Sequence, residues 1–340
     1  MRETLELRLA ASMRTQSATA SSMVMVTFFM ETMLHEICVA RISCFYLNFG
    51  VLCLCFDARY IRIPISTTSH TRSIRSIRSA DLLMFSTLLN QTLAVTQRIW
   101  LEQWRQGRGL IFWALFPALM MLLFGLVYAH NDSMRAGLDA MAAGVLMGAA
   151  LFFSCLGGTV AILVAERERR TMRRLLASPL QPAAYFLGVV LAQSALALMQ
   201  VVMLYAIAYA VGARYHGSMA LGGVIIALSV FAYVGLGFFF GARFARRSEE
   251  VVVALSAFGV PLLVLGGTFF PLVLMPRAMQ TVAYLNPITY MNEALKAVAA
   301  QGAGVAELRS ELAFLVVFCA LALVLGVSSY RHLLKLEKVT

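Results

Sequence analysis

The chain has 340 residues, of which 60% are hydrophobic and only 13% charged. A soluble domain usually carries about 25% charged residues, so the composition excludes an ordinary soluble globular protein and indicates an integral membrane protein. The net charge of +11 is scattered over short connections between apolar runs. That pattern reads as charge that sets topology, and no nucleic-acid partner is expected.

Residues 1–83 do not match the rest of the chain. Arg59, Arg62, Arg72, Arg75 and Arg78 pepper a Ser/Thr/Ile-rich stretch with a tandem SIRSIRS at 73–79. The uncharged run Ile42 to Phe56 there has 15 residues, short for a membrane span. The stretch is expected to be an extension ahead of a natural start at Met84, or a poorly ordered tail. The competing reading is a membrane-associated segment around 24–56. Cys38, Cys44, Cys53 and Cys55 lie here, without the paired spacing of a zinc site, and no metal is expected.

Over 84–108, Leu89, Leu93, Trp100 and Trp104 recur near a helical period. Gln91, Gln97, Arg98, Glu102, Gln103 and Arg105 supply the polar positions. Tryptophans beside arginines suit the membrane–water boundary, so this segment is predicted to be an amphipathic helix lying on the inner leaflet.

Six stretches then lack Asp, Glu, Lys and Arg altogether: Gly109–His130, Ala140–Ala165, Pro182–Ala213, Gly217–Ala242, Val251–Pro276 and Leu312–Tyr330. Each reaches the ~17–25 residues that a spanning helix needs. The predicted fold is an all-α integral membrane protein, with six transmembrane helices over 109–340 preceded by the interfacial helix. Lys and Arg number 14 in the connections on one side and 5 on the other, which places both ends of the six-span unit in the cytoplasm. Pro117 and Pro261 are expected to bend the first and fifth spans. Gly144–Gly148 and Gly237–Gly241 have the spacing that permits close helix approach. Gln193 and Gln200 share one face of the third span; such groups usually meet a neighbouring helix and are also candidates for a translocation path. The aromatic run Phe238–Phe240 is expected to face lipid.

The most informative connection is 166–180. Seven of the nine residues from Glu166 to Arg174 are charged, five of them arginine. An Arg at mid-membrane costs ~2.5–3.5 kcal/mol even on the lenient insertion scale, so the block is a solvent-facing loop. Met172, Leu175 and Leu176 fall at i, i+3, i+4 beside Arg169, Arg170, Arg173 and Arg174. Ser178-Pro179 then stops the helix, since the residue before proline avoids helical geometry. A short amphipathic helix of this kind suits docking into another protein.

Catalytic chemistry has no footing in the sequence. The three lysines, Lys296, Lys335 and Lys338, follow no glycine, so the phosphate-cradling G-x-x-x-x-G-K-[ST] loop is missing. Any ATP hydrolysis therefore belongs to another polypeptide. The five histidines are scattered, and the spans carry no acid for a nucleophile–base–orienter set or a proton relay. An ion-coupled or passive carrier without an ATPase partner remains the alternative.

Between 277 and 311, Asn286 is a good N-cap and Pro287 a good first helical residue. Met279, Val282 and Ala283, then Ile288, Met291, Leu295 and Val298, give two short segments apolar faces. Such segments can dip into the outer leaflet only where protein or a cavity satisfies their backbone.

At this point the sequence resembles the permease subunits of ABC-2-type transporters. That family carries E-R-E-x-G-T-x-E-x-L-L-x-S-P after its second span. Here Glu166, Arg167, Glu168, Thr171, Leu175, Leu176, Ser178 and Pro179 match, while Arg170 stands where Gly is usual and Arg173 where Glu is usual. A second landmark resembles 266–296, with Phe269, Phe270, Pro271, Pro276, Asn286, Pro287, Thr289, Tyr290, Ala294, Leu295 and Lys296 in place. The resemblance covers about 84–340. It implies that 166–179 is a coupling helix touching a separate ABC ATP-binding subunit, which holds the ATP while this chain binds no cofactor. It implies an outer gate at Phe269, Phe270, Pro271, Asn286, Pro287 and Tyr290. It also implies a homodimer or a pairing with a second permease in the inner membrane, exporting a hydrophobic or amphipathic substrate such as a drug, lipid or glycan.

Overall fold

The computed structural model describes residues 74–105, 107–128, 138, 141–244, 247–269, 272 and 275–339. The reading of 24–56 as a membrane segment lies outside the described residues. Among the described residues the regular elements are all helices.

In chain order they are α1 (Ile74–Arg105), α2 (Arg108–Tyr128), α3 (Met141–Glu168), α4 (Thr171–Ala177) and α5 (Pro182–Ala210). α6 (Met219–Arg243), α7 (Ser248–Leu265), α8 (Arg277–Ala283), α9 (Pro287–Gln301) and α10 (Arg309–Val339) complete the series. Five of them are long and apolar enough to cross a membrane: α3, α5, α6, α7, and α10 over Arg309–Lys335. The apolar stretch Ala114–Val127 of α2 is shorter. α1 starts at Ile74, ahead of the 84 boundary, and ends at Arg105.

α3 is the centre of the bundle. It packs against α2, α5, α6, α7 and α9, and more of its length is buried than that of any other span-length helix described. Its sequence permits this, because Gly, Ala and Ser at 142–144, 148–150, 154, 157 and 158 let neighbours approach closely. Side chains added at Gly144 and Gly148 would collide with Thr268, and at Gly237 with Thr159 and Leu156 of α3. The Gly237–Gly241 pair thus sits at a helix contact, while Gly144–Gly148 seats Thr268 of the non-helical segment after α7. α6 and α10 pack closely at Gly235 and Gly326, where an added side chain would meet the backbone of the other helix.

Residues 145–157 of α3 form a π-helix, a rare wide coil that proteins place at functional sites more often than chance. A second π turn, Leu255–Gly259, stands just ahead of Pro261 in α7. The proline ring lacks the ladder donor and crowds the preceding turn, and the wide turn relieves that crowding.

One expectation fails. Phe238 does not face lipid: it is fully buried and stacks with Phe186 at 4.4 Å and edge-on with Tyr330 at 5.3 Å. Phe240 does point outward. An all-apolar span lacks the polar stripe that would show which side turns inward.

Candidate functional site

Two clusters lie at opposite ends of α3. At its C-terminal end, the chain turns through Arg169 and Arg170 into α4. Arg170 adopts a left-handed backbone, φ 54°, where most side chains are disfavoured and glycine is at ease. The Thr171 hydroxyl donates to the Glu166 carbonyl at 3.0 Å and pins the corner. α4 ends at Ser178, which is extended ahead of Pro179 and whose hydroxyl donates to the Leu175 carbonyl at 2.6 Å.

The charges of this block are largely spoken for. Glu166 is buried and pairs with Arg98 at 3.2 Å. Tyr185 lies beside it. Arg167 donates to the Gly241 carbonyl at the end of α6, at 3.5 Å. Glu168 accepts from both the backbone N–H and the hydroxyl of Ser248, each at 2.7 Å, and so caps α7. Arg169 pairs with Glu102. Arg170 and Arg174 are exposed.

Met172 is turned inward, 1% exposed, where α4 packs against α3 and α10. Leu175 is half-buried, and the side chains of Arg173 and Leu176 lie outside those described. Among its described side chains, α4 exposes Arg174 and Ala177 and half-buries Leu175.

α1 braces this corner from the side. Gln91 donates to the Pro179 carbonyl at 3.1 Å and accepts from the Gln181 N–H at 3.0 Å. Val95 packs on Gly188, and the Thr96 hydroxyl reaches the Gly188 carbonyl at 3.2 Å. In the sequence Gln91, Arg98 and Glu102 are generic polar positions of α1. Their spacing of i, i+7, i+11 puts them on one helix face, and that was the available signal. The opposite side of α1 exposes Leu89, Leu93, Leu101 and Trp104.

The N-terminal end of α3 receives a break in the chain after α7. Gly267 turns at φ 72°, and Thr268 comes next, seated on Gly144 and Gly148. Phe269 is buried and stacks on Phe124 at 5.1 Å. Asn286 caps α9, accepting from the Ile288 N–H at 3.1 Å, and its amide also donates to the Leu262 carbonyl at 2.6 Å. Pro287 is the first residue of α9, and Tyr290 stacks on Phe314 at 4.1 Å. Phe270 and Pro271 lie outside the described residues.

Asn292, unremarked in the sequence, ties this cluster together. Its amide donates to the Gly266 carbonyl at 2.7 Å and to the Thr268 hydroxyl at 3.2 Å. α9 thereby holds the broken end of α7 against the central helix.

Gln193 and Gln200 are fully buried between α5 and α3. Gln200 accepts from Ser154 at 2.9 Å. The Gln193 amide packs on Gly158. Among the described residues no group of three or more His, Cys, Asp or Glu could hold a metal. What the arrangement offers is mechanical: one continuous helix joins a fixed, charged corner to a hydrogen-bonded fold at its other end.

Known proteins carry the same stretch. A family model described as ABC-2 type transporter matches residues 90–299. The inner membrane transport permease YhhJ of Escherichia coli (strain K12) is 30% identical over 153 residues, covering 43% of this chain and 39% of that protein. The probable multidrug ABC transporter permease YbhR of the same strain is 26% identical over 132 residues, covering 38% of this chain and 36% of that protein. The matches thus span well under half the length of either relative. The family match runs from the α1 brace through the α3–α4 corner to the Asn286–Asn292 cluster, and the chain belongs to the ABC-2 type transporter family, among its membrane permeases.

Proposed function

We propose that this chain is the transmembrane subunit of an ATP-driven exporter and that a separate ABC subunit binds and hydrolyses the ATP. The observation that carries the reading is the fixed corner at 166–179, immobilised by α1, α6 and α7 at the foot of the central helix. A push on that corner is delivered along α3 to the Thr268–Asn292 cluster, which acts as the outer gate together with Phe269, Phe270, Pro271, Asn286, Pro287 and Tyr290.

In this reading α2 is the sixth span, and 109–340 forms the transmembrane domain of an inner-membrane protein with both ends cytoplasmic. α1 lies on the inner leaflet with Leu89, Leu93 and Trp104 in lipid. Two permease copies, or this chain and a second permease, enclose the path, and Gln193 and Gln200 come to line it when α5 moves off α3. The substrate is hydrophobic or amphipathic; the multidrug label of the YbhR relative agrees with a drug-like compound.

The test is efflux of a fluorescent hydrophobic dye from vesicles holding the chain with its ABC subunit. Export should need ATP and stop when the Walker A lysine of that subunit is replaced. Efflux driven by an ion gradient without the subunit would establish the carrier alternative.

A further inference from the structure

We infer that the surface which receives 166–179 is an acidic protein cleft, with carboxylates placed opposite Arg170 and Arg174. The inference rests on the reading that this segment docks a separate ATP-binding subunit, and it names the chemistry of that partner.

The carboxylates around the corner are already engaged. Glu166 holds Arg98, Glu102 holds Arg169, and Glu168 caps α7 through Ser248. Met172 is buried within the chain, which removes the main apolar contact that α4 could offer. Among the described residues, the charged side chains left on display there are cationic. Arg170 and Arg174 are exposed, and neither side chain makes an ion pair or hydrogen bond with another described residue. Arg170 stands at the corner that opens α4 and Arg174 one turn into it, so two like charges lie close together at this end of the block. An external anion bridging them removes the repulsion.

Arg170 adds a second argument. It occupies a left-handed backbone position that favours glycine, and the resembling family usually has glycine there. The chain carries local strain to keep a guanidinium at that point. Charge that merely sets topology needs no fixed geometry. Here the geometry is fixed by the Thr171 and Gln91 hydrogen bonds and the Glu168 cap. Two guanidiniums carried on a fixed backbone suit a shaped protein surface better than a fluid layer of lipid phosphates, because planar guanidiniums bind carboxylates in a defined orientation.

The test places a photo-cross-linking benzoyl-phenylalanine at exposed Ala177 in the full-length chain, expressed in its own cells. The expected product is a nucleotide-binding protein, cross-linked in a cleft lined by Asp or Glu. Arg170→Glu with Arg174→Glu should cut the yield about tenfold or more, and Arg170→Lys with Arg174→Lys should keep it within about twofold, which controls for folding. Changing the cleft carboxylates to lysine should restore cross-linking to the doubly reversed chain. If the nucleotide-binding protein cross-links at full yield despite the double reversal, docking stands and the acidic cleft is overturned. If the products are phospholipid alone, or no protein, the docking reading falls and the cleft falls with it.

Discussion

Replacing Arg98 by methionine tests the brace most directly. The guanidinium lies 3.2 Å from a Glu166 carboxylate whose side chain is only 8% exposed, while Arg98 itself is 40% exposed. At an effective dielectric of ~20, that distance gives a gross attraction of about 5 kcal/mol. Solvent around Arg98 and the desolvation of Glu166 take back much of it. A net coupling of about 2 kcal/mol results, between the value below ~1 of exposed pairs and the ~3–5 lost on breaking a buried one. Arg98→Met should then destabilise by about 2–3 kcal/mol, because it leaves a buried carboxylate without its cation. Glu166→Gln should cost about 1 kcal/mol, since the amide oxygen still accepts from Arg98. The double variant should therefore be more stable than Arg98→Met alone, by about 1 kcal/mol. Unfolding can be followed in mixed detergent micelles by a thiol reagent reaching buried Cys155, with the other five cysteines replaced. A double variant less stable than Arg98→Met, or a coupling below about 0.5 kcal/mol, would refute the argument that Arg98 compensates the Glu166 charge.

Arg170→Gly should stabilise the fold by about 0.5–1 kcal/mol by relieving the left-handed backbone, whereas Arg170→Ala should not; the same unfolding assay separates them. A side chain at Gly148 would drive its Cβ into the Thr268 side chain. Gly148→Val should cost about 2 kcal/mol or more, and Thr268→Ala in the same chain should recover part of it. Asn292→Leu strands the acceptors at Gly266 and Thr268 and should cost about 2 kcal/mol. It should also speed maleimide labelling of an Ala294→Cys reporter, which is buried in the wild type. Unchanged labelling there would mean that α9 is held by its apolar face alone.

The spans were legible because lipid excludes charge, so the absence of Asp, Glu, Lys and Arg marks them one by one. The Asn286–Pro287 cap and the Ser178-Pro179 stop were equally legible, since both are settled within three residues of backbone. The brace was not. Gln91 finds its partners 88 and 90 residues away and Arg169 finds Glu102 67 residues away, distances at which a single sequence carries no pairing signal. The triad Met172, Leu175, Leu176 announced an apolar face without saying what covers it, and Met172 proves to be covered by the chain's own helices. Arginine at 170 gave no sign of a left-handed turn, because the residue type argues against one. The π segment comes from no residue type at all: it is a property of which carbonyl each N–H finds.

That segment governs how far a small disturbance travels. Each residue of a regular helix advances the winding by about 100°. If a wide ring between 145 and 157 closed by one residue, everything downstream would swivel by that amount while Gly144 stayed seated. Glu166 and the corner it anchors would come round with the swivel. Because that corner is held by Arg98, the Gly241 carbonyl and Ser248, such a change of winding would have to break those bonds, and hydrogen exchange of the amides at 145–157 would register it.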